Sequence, residues 1–203
     1  MESPASLASL ITPVTLFALA TCGSPGPNNM LLTASGARFG YRGSLGTLAG
    51  IFAGFGCLLM LAALGLGTLF ELWPPLQWLL RLAGAAYLVW LAWKLGVAGV
   101  LHADTERARA VSPFQACLLQ FVNPKGLTMA MGVISAFALP GEAFWSSVAL
   151  IVTIMLSMLI LTGHAWILFG QALVRLCRTP RHVRRVNVTL ALLTLSSVIF
   201  ILN

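Results

Sequence analysis

The chain has 203 residues, of which 59% are hydrophobic and 8% charged, and its mean hydropathy is +0.92. Soluble domains carry about 25% charged residues, so a water-soluble domain is excluded and an integral membrane protein is expected. The formal charge of +7 does not point to nucleic acid, because the arginines sit at the ends of apolar segments, where topology and anionic lipid account for them.

At roughly 20 apolar residues per span, the length suits one domain of about six transmembrane helices. The N-terminus lacks the Lys/Arg of a secretory signal, so the first segment is read as a retained helix. That segment, Leu7–Ala37, is interrupted by Ser24-Pro25-Gly26-Pro27-Asn28-Asn29. Each proline removes a backbone donor and clashes with the preceding turn. Within lipid, such broken backbone is tolerated only where it is buried in protein or lines a cavity. The second segment, Ser44–Phe70, carries Gly46, Gly50 and Gly54 on one helical face, a surface for close helix packing. The third, Leu76–Val97, holds Trp78, Tyr87, Trp90 and Trp93, several of which suit an interfacial belt. The fourth, Phe114–Leu139, is interrupted by Gln120-Phe121-Val122-Asn123-Pro124-Lys125-Gly126; the fifth and sixth are Phe144–Leu173 and Val183–Leu202. Cys22, Cys57, Cys117 and Cys177 show no metal-ligand spacing and are read as packing residues without a disulfide.

Positive charge alternates between the connections. The first loop has Arg38 and Arg42, the third Lys94, Arg107 and Arg109, and the fifth Arg175, Arg178, Arg181, Arg184 and Arg185. The second has Arg81 at its edge, and the fourth and both tails have no Lys or Arg. The odd loops therefore face the cytoplasm, and both termini lie outside. The polar linker at about 98–113 divides the single domain, 1–203, into halves of three spans, about 7–97 and 114–202. Three is odd, so the halves have opposite orientation. Matching breaks in the first span of each half point to an inverted repeat with a transport site between them. The fold expected is all-α: six transmembrane helices as two inverted three-helix repeats, the first and fourth broken near the bilayer centre.

A break creates new helix ends. Asn123 and Pro124 suit the N-cap and first helical position, and Ser24 and Pro25 can play the same parts in the first span. The N–H groups of Gly26, Asn28, Asn29, Gly126 and Leu127 are then open donors at the positive ends of two half-helices, a backbone site for a carboxylate. Lys125 is the one charged residue well inside a span, and no Asp or Glu lies at similar depth. It either snorkels to water or takes an anionic ligand or gating role. Asn28, Asn29, Gln120 and Asn123 either hold a substrate amino group or satisfy the broken backbone. His164, in the fifth span, either relays protons or packs against a neighbouring helix.

The Ser24–Asn29 stretch resembles the Pro-Gly-Pro motif in the first helix of the LysE/RhtB amino-acid exporter superfamily. Gly84-Ala85-Ala86-Tyr87-Leu88-Val89-Trp90-Leu91-Ala92-Trp93-Lys94 and Leu119–Gly126 are similar to its cysteine/O-acetylserine exporter branch. Many members have an acid after the second proline, where this chain has Asn28. The resemblance implies export from the bacterial cytoplasm through the inner membrane, driven by the proton gradient.

The function expected is secondary export of small neutral amino acids or derivatives (the cysteine, O-acetylserine, homoserine and threonine class) by alternating access, with no catalytic residue, cofactor or metal. Its site comprises Pro25, Gly26, Pro27, Asn28, Asn29, Gln120, Asn123, Pro124, Lys125 and Gly126, with His164 as the proton-coupling candidate. The partners expected are the substrate and membrane lipid, with a homodimer as the assembly to test for and no nucleic acid. Two other classes compete. One is a hydrolase with Ser24 as nucleophile and His164 as base; the other is a carrier of a different solute, such as a metal cation.

Overall fold

A computed structural model describes residues 7–73 and 110–176, together with residues 75, 76, 78–80, 82, 83, 85, 86, 89, 93, 188 and 192. Among these, every regular element is helical: α1 (Leu7–Gly23), α2 (Pro27–Ala63), α3 (Leu66–Leu72), α4 (Pro113–Phe121), α5 (Pro124–Phe137) and α6 (Phe144–Leu176), with a 3-10 turn at Gly141–Ala143. Most of the expected sixth span, residues 183–202, lies outside the described residues. So do Tyr87, Trp90, Cys177, most of the linker and the loop charges Arg81, Lys94, Arg107, Arg109, Arg178, Arg181, Arg184 and Arg185.

The helix starts follow from local chemistry. Prolines 27, 113 and 124 each open a helix, where a missing N–H costs nothing. Ser112 caps α4 by a reciprocal pair: its hydroxyl accepts from the Gln115 N–H and its N–H donates to Gln115 Oε1, both at 3.2 Å. Asn123 caps α5, its Oδ1 accepting from the Gly126 N–H at 3.4 Å.

The connection expected between Ala37 and Ser44 is reduced to one residue. Gly40 adopts φ 70° and ψ −178°, a backbone region open essentially to glycine alone, and helix continues on both sides of it. The chain doubles back there: the Ser44 hydroxyl donates to Ser35 Oγ at 2.8 Å, across nine residues. In a straight helix those residues would stand about 13 Å apart along the axis. Similarly, Asn28 and Gly54 both meet Gln120, and Leu32 and Leu48 both meet Gly163. Residues 27–39 thus continue the first span, and residues 41–63 form the second. The second ends earlier than Phe70, because Gly65 takes a left-handed conformation (φ 98°) before α3 begins.

Glycines set the helix separations. Gly46 and Gly50 meet Pro113, Gly50 also meets Ala116, and Gly54 meets Cys117 and Gln120. The ascending order shows that residues 41–63 run parallel to α4, so the first span runs antiparallel to it. Gly36 abuts the backbone of Ile167, and Gly170 that of Thr33, which fixes α6 against the first span. The core between these helices is built from Phe55, Leu58, Leu59, Ile51, Ile151 and Met155, all 1% exposed or less. The periphery is apolar as well: Leu16, Leu64, Leu161 and Phe114 are 62–70% exposed. That pattern suits lipid rather than water as the solvent. Gly141–Val174 is long and apolar enough to cross a membrane. Among the described residues no buried side-chain polar atom lacks a partner, as a medium without water requires.

A methyl group at position 50 would meet the Pro113 carbonyl and Ala116 Cβ, whereas one at position 132 has nothing within 4 Å. Gly50→Ala is therefore expected to destabilise the detergent-purified protein by about 1–3 kcal/mol. Gly132→Ala, inside α5, is expected to be neutral or to stabilise by about 0.5–1 kcal/mol. Thermal unfolding of the two variants checks this, and equal shifts would contradict the packing described.

Candidate functional site

The two breaks, about 100 positions apart in the chain, meet each other. Lys125 Nζ donates to the Ser24 carbonyl at 2.9 Å, the Ser24 hydroxyl at 2.8 Å and the Pro25 carbonyl at 3.2 Å. Asn28 and Gln120 form a reciprocal amide pair: Asn28 Nδ2 donates to Gln120 Oε1 at 2.8 Å, and Gln120 Nε2 donates to Asn28 Oδ1 at 3.0 Å. Asn123 Nδ2 donates to the same Asn28 oxygen at 3.2 Å.

Much of this network satisfies backbone that the prolines leave unpaired. Pro25 has no N–H for the Thr21 carbonyl, and the Ser24 hydroxyl donates to it instead at 3.0 Å. Asn29 Nδ2 donates to the carbonyls of Cys22 and Ser24, each at 2.8 Å. Pro124 leaves the Gln120 carbonyl open, and the Asn123 N–H takes it at 3.2 Å. Gln120 also donates to the Ala116 carbonyl at 3.0 Å.

The two restarted helices end differently. The first begins two residues later than the expected Ser24–Pro25 start: Gly26 is the N-cap and Pro27 the first helical residue. Ser24 is engaged with Thr21 and Lys125 and is not free to cap. Gly26 has no side chain with which to accept, so no side-chain cap closes this end. The Asn28 and Asn29 N–H groups therefore stand at an uncapped helix start. At the second break the expected open donors are already used, because Gly126 N–H is held by Asn123 Oδ1 and Leu127 N–H by the Asn123 carbonyl.

Between the breaks lies a cavity enclosing about 440 Å³ of space between atoms, the open solvent at its mouth included. Gly26, Pro27, Asn28, Asn29, Asn123, Lys125 and Gly126 line it. Its other walls are Thr21 and Cys22 from α1, Leu32, Ile51 and Phe55 from α2, Met129 from α5, and Leu159 and Thr162 from α6. Lys125 supplies its charge; no Asp or Glu among the described residues lines it. Three site residues lie elsewhere. Pro25 is exposed, Pro124 is buried at the helix start, and Gln120 is wholly buried behind Asn28. They shape or brace the site without facing it. The sequence reading missed the apolar walls, because Ile51, Phe55 and Met129 are indistinguishable from core residues in a chain this hydrophobic. Cys22, read only as packing, is also a wall residue.

His164 sits apart. Its Nδ1 lies 3.1 Å from the Tyr41 hydroxyl and its ring stacks on Tyr41 at 5.5 Å, next to the Gly40 turn. Ser24 is engaged with Thr21 and Lys125 instead. The Ser24–His164 pair that hydrolysis would need is not formed.

The LysE type translocator family matches residues 19–202 of the chain. This chain belongs to that family. It is 36% identical to the cysteine/O-acetylserine efflux protein of Escherichia coli (strain K12) over 186 residues, covering 91% of this chain and 93% of that one. The protein of the same description from Shigella flexneri is 36% identical over 189 residues, covering 90% and 95%. No solved structure matches. Membership of the LysE family makes the chain a translocator, and the exposed apolar helices are those of a membrane protein.

Gly26 lies directly under the Lys125 side chain of this LysE-family cavity: a methyl group there would stand 2.8 Å from Cδ and 2.9 Å from Nζ. The obstacle is the end of a flexible side chain, so the fold should survive Gly26→Ala while Lys125 is pushed off the Ser24 and Pro25 oxygens. Expected are a near-normal yield of folded protein and transport reduced at least severalfold. Wild-type transport would show that the position of Lys125 does not matter.

Proposed function

We propose that the chain is a secondary exporter of small neutral amino acids or close derivatives, of the cysteine and O-acetylserine class, that works by alternating access around the cavity between the two breaks. The observation that carries this reading is the meeting of an uncapped helix start and a single ammonium group at one small-molecule cavity. A substrate carboxylate suits the Asn28 and Asn29 N–H groups and Lys125. Leu32, Ile51, Phe55 and Met129 suit a short side chain. With no acid lining the cavity among the described residues, a second positive charge on the substrate would meet no partner. The names of the relatives support the cysteine and O-acetylserine class.

The two broken spans run in opposite directions and touch at their breaks, which supports an inverted repeat with the site near the bilayer centre. Arg38 and Arg42 flank the Gly40 turn, which supports placing that end in the cytoplasm and both termini outside the inner membrane. Proton coupling is assigned to His164 with Tyr41, a titratable ring paired with a hydroxyl beside that turn. Among the described residues no three His, Cys, Asp or Glu side chains gather as metal ligands would, so the structure gives no support to a cation carrier.

Proteoliposomes loaded with unlabelled O-acetylserine should exchange it for the labelled compound, and cysteine should compete. Lys125→Gln should lower the rate at least about tenfold, the equivalent of roughly 1.4 kcal/mol, with folded yield retained. An unchanged rate in Lys125→Gln would remove the carboxylate role. An imposed pH gradient should drive net wild-type transport, and His164→Gln should lose that drive while keeping exchange. A His164→Gln variant still driven by the gradient would remove the coupling assignment.

A further inference from the structure

Lys125 is fully engaged by oxygens of the protein itself. Its ammonium has three donors, and they meet the Ser24 carbonyl, the Ser24 hydroxyl and the Pro25 carbonyl. All three acceptors lie on the two residues that follow α1, at the helix end whose dipole attracts a cation. The contact joins α1 to α5 across the breaks. It is also the one ionic element of the junction, since Asn28, Gln120, Asn123 and Asn29 are neutral amides. A carboxylate is a better acceptor for an ammonium than neutral oxygens are. Lys125 lines the cavity and Ser24 and Pro25 do not, so a ligand in the cavity gains the ammonium only as the side chain turns away from its present partners.

We propose that Lys125 is a competitive clamp: the carboxylate of an entering amino acid displaces Ser24 and Pro25 from its ammonium, so that binding itself releases the end of α1 from α5. This rests on the exporter reading and deepens it, by making the lysine a conformational trigger as well as a ligand. The amide pair of Asn28 and Gln120 holds the breaks in register while the charged contact opens. A ligand can shift such an equilibrium only by its differential affinity for the two states, and here the difference lies in the exchanged acceptor.

The clamp makes a prediction of unusual sign. Ser24→Ala removes one of the three resting acceptors without touching the cavity wall. It should therefore raise apparent affinity for O-acetylserine, by roughly ten- to a hundredfold for one hydrogen bond to a charged group. If Ser24 served only to hold the break together, or bound substrate itself, affinity would be unchanged or lower.

Lysine occurs twice in the chain, at Lys94 and Lys125, so Lys94→Arg leaves a single lysine for ¹³Cε labelling. In that background the Lys125 signal should move on titration with O-acetylserine and stay put with its methyl ester, which lacks the carboxylate. Without ligand, Ser24→Ala should move it in the same direction. A protein that exchanges O-acetylserine while the lysine signal stays fixed, or one whose signal responds equally to the ester, overturns the clamp and leaves the exporter reading standing. Absence of both exchange and signal change overturns the exporter reading, and the clamp with it.

Discussion

The arrangement depends on a backbone constraint. Two prolines and a glycine in the first span, and a proline and a glycine in the fourth, interrupt helices whose surroundings offer no water to the freed groups. Each such group costs several kcal/mol if left unpaired in an apolar medium. The carbonyls of Thr21, Cys22, Ser24, Pro25 and Gln120 all have donors, and those donors are the polar side chains and backbone of the two motifs themselves. Most of these donors are local, and one, Lys125 Nζ, comes from the opposite break to the Ser24 and Pro25 carbonyls. The lysine and the Asn28–Gln120 amide pair join the two motifs into one structural unit.

That unit is unequal, and the inequality gives it a direction. The fourth-span break carries its own cap in Asn123, so its backbone donors are consumed locally. The first-span break has glycine at the N-cap, and its donors are left to the cavity. The cation is distributed in the opposite sense, since Lys125 comes from the capped break and rests on the uncapped one. In the proposed exporter, a carboxylate finds its backbone donors on one span and its charge on the other. If the two pieces move relative to each other, both can hold it only in certain positions, which is what the proposed ligand-controlled opening requires.

Much of this was legible in the sequence, because proline, glycine and asparagine in an apolar run have few physical meanings. The Pro25 and Pro124 stretches, the glycine face of the second span and the Asn123–Pro124 helix start could be read directly. What could not be read falls into two kinds. The first is competition between equivalent local solutions. Ser24–Pro25 and Gly26–Pro27 are both acceptable helix starts, and the tertiary contact of Ser24 with Lys125 decides between them. The Gly40 turn was hidden for a similar reason, since Arg38 and Arg42 suggested a loop and a single glycine sufficed. The second kind is apolar specificity. Ile51, Phe55, Met129 and Leu159 line the cavity, but hydrophobic residues carry no positional signal in a chain where most positions are hydrophobic.

The glycine contacts explain why motion would concentrate at the breaks. Gly50 and Gly54 bring α2 against the backbone of α4, and Gly36 and Gly170 do the same between the first span and α6. Interfaces so close leave no room for a side chain to change rotamer and no slack for sliding, since packed interiors transmit strain rather than absorb it. By contrast, α1 meets α5 through a Phe17–Phe137 edge contact at 5.9 Å and through the Lys125 clamp. The ring pair can shift at little cost, and the clamp can exchange its acceptors. The interface held by an exchangeable ammonium is thus not among those locked by glycine-backbone contact. In the proposed exporter, the chemistry that recognises a carboxylate and a joint that can yield are therefore at the same place.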